Sequence, residues 1–446
     1  MRAVLVLLAA LACVPARAAD PGQVLRDALN QARAKHQVVL VDFFAPWCYS
    51  CYYMARNVLN GPEWNALGRK AVVLQLDGDS PEGHAWMENW DVRALPTYIL
   101  LRDDGSELDR ILGEQTRADF YTRVNTALGQ ADSFGALQAR VRDGSADALA
   151  AAREVLRLFH ARNQGEEGLA WYLQLPVDVR AAVGRDAGAG VWLARLELLR
   201  AAKAKDGAAC LQAAPAVLAA DLGCERSYEL DRVLACTADQ PAAARAELLR
   251  PEAARMQALV DKRVFAPNAR CADERSAVVA AADLDEALGD QASHSLVLSR
   301  AAAEARKRLN GDLRSDRNLA DNLRAYLEVA KNYEALDQLY PQLVAAYSDD
   351  YVYAYRYGKN LAARGDHKAA MKWFAQSYPK AYGLNRLKVA EQWAKSYEAL
   401  GHPLDGQQIL AQALAQNAGA FPEDVEQVKA LQQELLAAAK AGAAPK

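Results

Sequence analysis

The eleven residues Val41–Cys51, VDFFAPWCYSC, constrain this chain more than any others, because they carry a Cys-x-x-Cys pair from an apolar strand into a helix start. The run Val38-Val39-Leu40-Val41 is short, apolar and β-branched, as a buried strand requires, and Tyr52 to Leu59 lose that alternation and read as helix. Cys48 then sits at a helix N-terminus. Unpaired backbone N–H groups and the positive end of the helix dipole favour a thiolate there, and a thiolate is the attacking species in disulfide exchange. A dithiol redox pair is the expected chemistry, with Cys48 as nucleophile and Cys51, one turn in, as resolving thiol. The other reading of such a pair, half of a zinc site, needs a second ligand pair. The six histidines are scattered and there is no second Cys-x-x-Cys, so no metal and no cofactor is expected.

Trp47-Cys48-Tyr49-Ser50-Cys51 is followed downstream by Leu95-Pro96-Thr97-Tyr98 and then by a glycine hairpin at Gly105. This series resembles the thioredoxin family from about Gln23 to Leu128. Within the family, the run from Trp47 through Pro62 and the later LPTYILLRDDG look most similar to the periplasmic thioredoxin domain of the disulfide interchange protein DsbD. The resemblance implies an α/β thioredoxin fold, a central mixed sheet flanked by helices. It aligns Asp42 with the buried aspartate that relays the proton of the second cysteine. Its neighbours Val41, Phe43 and Phe44 agree with burial, and an edge-strand carboxylate facing water is the alternative. The family's lysine on the next strand is Gln75 here, so any charge partner of Asp42 is lost or replaced. The resemblance makes Pro96 a cis proline and gives the Leu95 backbone to an extended substrate strand. It puts Trp47 and Thr97 beside the substrate, matches Gly113 to a glycine near the cis-proline loop, and leaves Tyr49 and Ser50 to tune the pair. Tyr52 and Tyr53 either contact substrate or pack. No histidine lies between the cysteines, so one stabiliser of the thiolate is absent, which favours reductase over oxidase or isomerase.

Residues 1–18 read as a secretory leader: a minimal basic start at Arg2, an apolar core from Ala3 to Val14, and an Ala16-Arg17-Ala18 cleavage site. The core is shorter than the ~20 residues a spanning helix needs. Cys13 follows a poor lipobox, so cleavage is expected to discard it, and a lipoprotein anchored there is the alternative. Periplasmic export fits, and that compartment permits disulfides. The net charge of −3, from 53 basic and 56 acidic residues without a basic block, argues against nucleic acid as partner.

Gly129 to Gly135 is polar and glycine-flanked, which places a boundary between a thioredoxin-like domain at 19–130 and a second domain at 131–436. The second part is rich in strong helix formers with apolar faces at three- and four-residue spacing, and reads as all-α. Gly358, Gly365, Ala370 and Phe374, then Ala394, Tyr397 and Gly401, follow the period of a tetratricopeptide-type helix pair; a plain helical solenoid is the alternative. Residues 437–446 are expected to be a flexible tail. Cys210, Cys224, Cys236 and Cys271 all fall in the helical part. A helix from Cys224 to Cys236 would separate its ends by ~18 Å at ~1.5 Å per residue, beyond the ~7 Å limit for a bridge. In antiparallel hairpins the expected pairs are Cys210 with Cys236 and Cys224 with Cys271, against an alternative of four free buried thiols. Tyr347, Tyr351 and Tyr355 share a helical face, either as core or as the lining of a peptide groove.

Two functions fit these observations. The first is an exported thiol:disulfide oxidoreductase, chiefly a reductase, acting on protein thiols or disulfides and drawing electrons from a membrane donor of the DsbD type, with the helical part docking a client or donor. The second is a helical scaffold whose dithiol is a redox sensor or weakly active.

Overall fold

The computed structural model describes residues 21–129, 132–145, 147–267 and 271–442. The expected leader with Cys13, and the expected boundary at Gln130 and Ala131, lie outside the described residues.

The N-terminal part runs α1 (Pro21–Lys35), β1 (Val38–Phe44), α2 (Tyr49–Asn57), α3 (Gly61–Leu67), β2 (Ala71–Asp77), α4 (Pro81–Asn89), β3 (Thr97–Leu101), β4 (Glu107–Leu112) and α5 (Arg117–Gly129). Its four strands form one mixed sheet in the order β2-β1-β3-β4. β1 pairs parallel with β2 across a helical crossover, and antiparallel with β3, which hairpins to β4. The hairpin turns at Gly105, whose φ of +87° a side chain would resist.

Alternation along β1 decides what lies on each face. Val39, Val41 and Phe43 join Leu25 and Ala32 of α1 and Ile99 of β3 in one core layer, with Trp86 and Trp90 packed against it. Leu40 points the other way, into a layer with Met54 of α2, Tyr98 and Phe120 of α5. Asp42 has the parity of Leu40 and so faces the side on which α2 lies. Each fully buried aromatic or aliphatic side chain of these layers contributes about 1.5–3 kcal/mol.

From Phe134 to Gly442 the described residues are helical, joined by turns. The last helix, Pro422–Gly442, continues past Leu436, where a flexible tail was expected, because Ala, Leu and Lys propagate a helix already started. Small residues sit where helices cross. A Cβ on Gly358 would lie 2.7 Å from the Phe374 ring, and one on Gly406 would lie 2.9 Å from the Ala394 carbonyl oxygen. Cys210 is bridged to Cys236 with Cα atoms 6.2 Å apart, and Cys224 to Cys271 at 5.5 Å.

The helical region meets the α/β part in two places. Helix Ala148–Ala161 lies along edge strand β4, where Arg157 bonds Asp109 and donates to the Arg110 carbonyl at 3.3 Å, covering an edge that would otherwise be open to pairing. Helices Glu274–Leu288, Arg317–Val329, Val352–Ala363 and Gly383–Ala399 reach the other end, where the cysteine pair lies.

Candidate active site

Chain direction at the end of β1 sets the site. Phe44 leaves the sheet, Ala45–Trp47 turn, and Cys48 is the N-cap of α2 with extended backbone (φ −78°, ψ 104°). Its Sγ accepts the Cys51 N–H at 3.0 Å, and the two cysteines are joined by a disulfide with Cα atoms 5.2 Å apart. The sulfur therefore takes the place of a capping oxygen, among the free N–H groups that favour a thiolate once the bridge opens.

Asp42 is 3% exposed. Burial pushes its carboxyl up to about 6, with a hydrogen bond from Gln75 pulling the other way. That bond, Gln75 Nε2 to Asp42 Oδ2 at 3.0 Å, joins register partners on β2 and β1. A neutral amide thus fills the place of the family's lysine and leaves the carboxyl without a cation to hold it ionised.

The Leu95–Pro96 peptide bond is cis. The Pro96 carbonyl accepts the Gly113 N–H at 2.9 Å, and Thr97 Oγ1 donates to the Ala94 carbonyl at 2.7 Å, which fixes the loop against β4 and its own entry to β3. Leu95 stays partly exposed and Trp47 is 37% exposed, so one flank of the pair faces solvent. The Trp47 indole N–H donates to Asp79 Oδ1 at 3.0 Å.

The opposite flank is covered. Arg275 stacks on the Tyr49 ring with its guanidinium 3.4 Å from the centroid, and the Tyr49 hydroxyl donates to Asp273 at 3.3 Å. Arg317 lies 4.2 Å from the Tyr52 ring centroid, Arg356 donates to the Trp47 carbonyl at 2.8 Å, and Asn318 donates to the Tyr49 carbonyl at 2.9 Å. Ser50 is buried and Cys48 is only 2% exposed. Tyr49 and Tyr52 are thereby packed against the helical region, and Tyr53 against the core beside α2.

Arg317 pairs with Asp350 at 2.6 Å, whereas Arg275 and Arg356 are held by one buried carboxylate. Asp321 accepts from Arg275 at 2.6 Å, from Arg324 at 2.8 Å and from Arg356. Burial alone would raise its carboxyl, but Arg324, Arg356 and Arg275 hold it well below the usual carboxylate range. Glu114, just past Gly113, is also buried here. Desolvation and the nearby Asp273 push its carboxyl well up, while Arg275, Ser50 and Asn318 pull it back.

Sequence reasoning missed Glu114, Asp273, Arg275, Asn318, Asp321 and Arg356 as neighbours of the pair. Glu114 alone had a local signal, a carboxylate directly after the glycine that packs on the cis-proline loop. Tyr347, Tyr351 and Tyr355 are core residues, the first of the two expectations, but they do not share one helix: Tyr347 caps the end of helix Tyr333–Ala346 and Tyr351 the start of Val352–Ala363. Tyr357 stacks on Tyr340 within the helical region at 4.7 Å, whereas Tyr351 crosses to the α/β part and donates to Asp79 Oδ2 at 3.4 Å.

Gly383 holds a close backbone approach of the two parts. Its φ is +50°, Leu384 N donates to the Asp79 carbonyl at 3.1 Å, and a Cβ there would fall 1.9 Å from that same oxygen. Gly383→Ala is expected to lift helix Gly383–Ala399 off Asp79 and loosen the cover. The rate at which dithiothreitol reduces the Cys48–Cys51 bridge should rise about tenfold, the effect of making opening easier by ~1.4 kcal/mol. An unchanged rate would show that this contact does not control access.

Residues 25–128 match the family model described as thioredoxin-like domain. The thiol:disulfide interchange protein DsbD of Pseudomonas fluorescens is 34% identical over 103 residues, 22% of this chain and 18% of that protein. Thioredoxin-2 of Pyricularia oryzae is 34% identical over 91 residues, 20% of this chain and 47% of that protein. The reduced C-terminal domain of Neisseria meningitidis DsbD is 27% identical, with 24% of this chain and 97% of that one covered and a TM-score of 0.22. The chain thus spans less than a fifth of the DsbD it matches, and the family model covers residues 25–128. Residues 25–128 are a thioredoxin-like domain of the thiol:disulfide oxidoreductase type, carrying its Cys-x-x-Cys pair at Cys48 and Cys51.

Proposed function

We propose that this chain is an exported thiol:disulfide oxidoreductase that works chiefly as a reductase on protein disulfides. The observation that carries the reading is a dithiol at a helix N-terminus, on the sheet face toward which a buried carboxyl is directed. The Cys48 thiolate attacks a substrate disulfide, forming a mixed disulfide as the substrate's S–S bond breaks and its other sulfur leaves as a thiolate that takes up a proton. Cys51 then gives its proton to the Asp42 carboxylate and attacks the Cys48 sulfur. The second substrate thiol is released, two electrons have passed to the substrate, and the Cys48–Cys51 bridge closes. A carboxyl with its pKa moved to about 6 suits that transfer near neutral pH. The exposed flank at Trp47 and Leu95 would take the substrate strand, with the Leu95 backbone pairing to it and Pro96 and Thr97 shaping the loop.

Export rests on the leader-like residues 1–18 and on two disulfides remote from the redox pair. No described helix is long and apolar enough to cross a membrane. Electrons to regenerate the dithiol would come from a donor dithiol of the DsbD type at the membrane. The domain division at 130/131 and the tetratricopeptide-like reading of 131–436 belong to the same proposal, supported by the glycine and alanine contacts at the helix crossings. The helical region would then dock the client or the donor. A second reading is favoured by one observation, the 2% exposure of Cys48 under the helical cover: a scaffold whose partner binding answers the state of the dithiol.

The deciding measurement is equilibration of the Cys48–Cys51 pair in glutathione or dithiothreitol buffers, alongside turnover of a protein disulfide. A potential near ~−270 mV with turnover is the expected result for a reductase. A potential near ~−120 mV would reverse the direction to disulfide formation, and equilibration without turnover would favour the sensor.

A further inference from the structure

The peptide between the two cysteines is gripped by a side chain from the far end of the chain. Asn318, 7% exposed in the first turn of helix Arg317–Val329, donates from Nδ2 both to the Tyr49 carbonyl at 2.9 Å and to Glu114 Oε1 at 3.0 Å. Its Oδ1 accepts from Asn322 at 3.3 Å, Asn322 Oδ1 accepts from Arg275 Nε at 2.8 Å, and Arg275 stacks back on the Tyr49 ring. The Ser50 side chain lies beside the same Glu114 carboxyl. Both residues that separate Cys48 from Cys51 are therefore held, Tyr49 through its backbone and ring and Ser50 through its neighbour.

Opening the bridge moves its sulfurs from bonding distance, ~2.05 Å, to non-bonded separation, and the backbone between them must adjust. A group bonded to that backbone then binds the oxidised and reduced forms unequally. By linkage, the inequality appears as a shift in the redox equilibrium and, reciprocally, as a change in docking on reduction. We propose that Asn318 is a positioning residue of the redox centre, which holds the Tyr49 carbonyl and Glu114 in the arrangement of the disulfide form and so makes the pair harder to reduce. The inference rests on the reading of Cys48–Cys51 as an exchanging pair. In the balanced step, two glutathione thiols are oxidised to their disulfide while the Cys48–Cys51 bond breaks, and the two protons pass to the cysteine sulfurs.

The test equilibrates the full chain with reduced and oxidised glutathione as wild type, Asn318→Ala and Arg56→Ala. Arg56 also reaches the helical region, bonding the Ser315 carbonyl and lying 3.5 Å from Asp316, but it does not touch the residues between the cysteines. Asn318→Ala is expected to shift the equilibrium about tenfold toward the dithiol, ~30 mV less negative for two electrons, with Arg56→Ala within about twofold of wild type by the same linkage. No shift in Asn318→Ala, or equal shifts in both variants, overturns the proposal. Should Asn318→Ala fail to fold, hydrogen exchange on the wild-type chain decides. Amides of Arg317–Val329 should exchange faster after dithiothreitol reduction than in the oxidised chain, and equal protection overturns the proposal. A wild-type pair that turns over substrate without these differences sinks this inference alone, whereas a pair that exchanges neither with glutathione nor with a protein disulfide sinks the oxidoreductase reading.

Discussion

Cys51→Ser is expected to arrest the chain as a covalent mixed disulfide, while Cys48→Ser should fail to form one at all. In the first variant the Cys48 thiolate still attacks, but no second thiol remains to release the substrate, so a one-to-one adduct accumulates and is cleaved by dithiothreitol. In the second, Cys51 lies inside α2 with its backbone N–H turned to the capping position, away from the free N–H groups that favour a thiolate. Turnover of a protein disulfide should fall about a thousandfold or more in both, as when a nucleophile is removed from an enzyme, and non-reducing electrophoresis with mass spectrometry separates the two. Equal adduct formation in both variants would mean that the nucleophile is wrongly assigned.

Asp42→Asn should yield a protein that is at once more stable and slower. Well below pH 3.8 the carboxyl is protonated in both folded and unfolded chains and burial costs nothing. As pH rises from 3.8 toward about 6 the unfolded chain gives up this proton while the folded chain retains it, so wild-type stability declines through that window. Above about 6 both forms are ionised and the full cost is present, about 3 kcal/mol for two pKa units. Asparagine carries no charge to bury and can still accept from Gln75, so the variant should gain about 2–3 kcal/mol at pH 7.5 and almost nothing at pH 3.5. Chemical denaturation at the two values reads the difference, and an equal gain at both would assign the effect to packing. The resolving step, deprived of its proton acceptor, should slow about a hundredfold.

The α/β part was legible because each of its signals is local. The apolar, β-branched run in Val38–Phe44 marks a strand, Pro46 two residues past its end forces a turn, and the parity that buries Leu40 also directs Asp42. The all-helical character of the rest followed from composition. What covers the redox pair was not legible. An amphipathic pattern says that a face is buried, and not against what. Helix Arg317–Val329 shows the difficulty, since Asn318, Asp321, Asn322 and Arg324 are residue types that ordinarily face water, yet all four are buried. They are accommodated because Arg275 and Arg356, far away in sequence, complete their bonds. Asp273 reads as an ordinary N-cap, and it is one, but its second oxygen also takes the hydroxyls of Tyr49 and Tyr228.

The near-complete enclosure of Cys48 has a kinetic meaning beyond its chemistry. Exchange requires a thiolate to line up with a sulfur, so a pair whose nucleophile is 2% exposed, with only the Trp47 flank open, trades electrons slowly with small thiols in bulk, whatever its potential. Its oxidation state then drifts away from that of the surroundings between specific encounters and keeps a record of the last partner able to reach it. Such insulation lets one dithiol stay reduced between encounters long enough to be used.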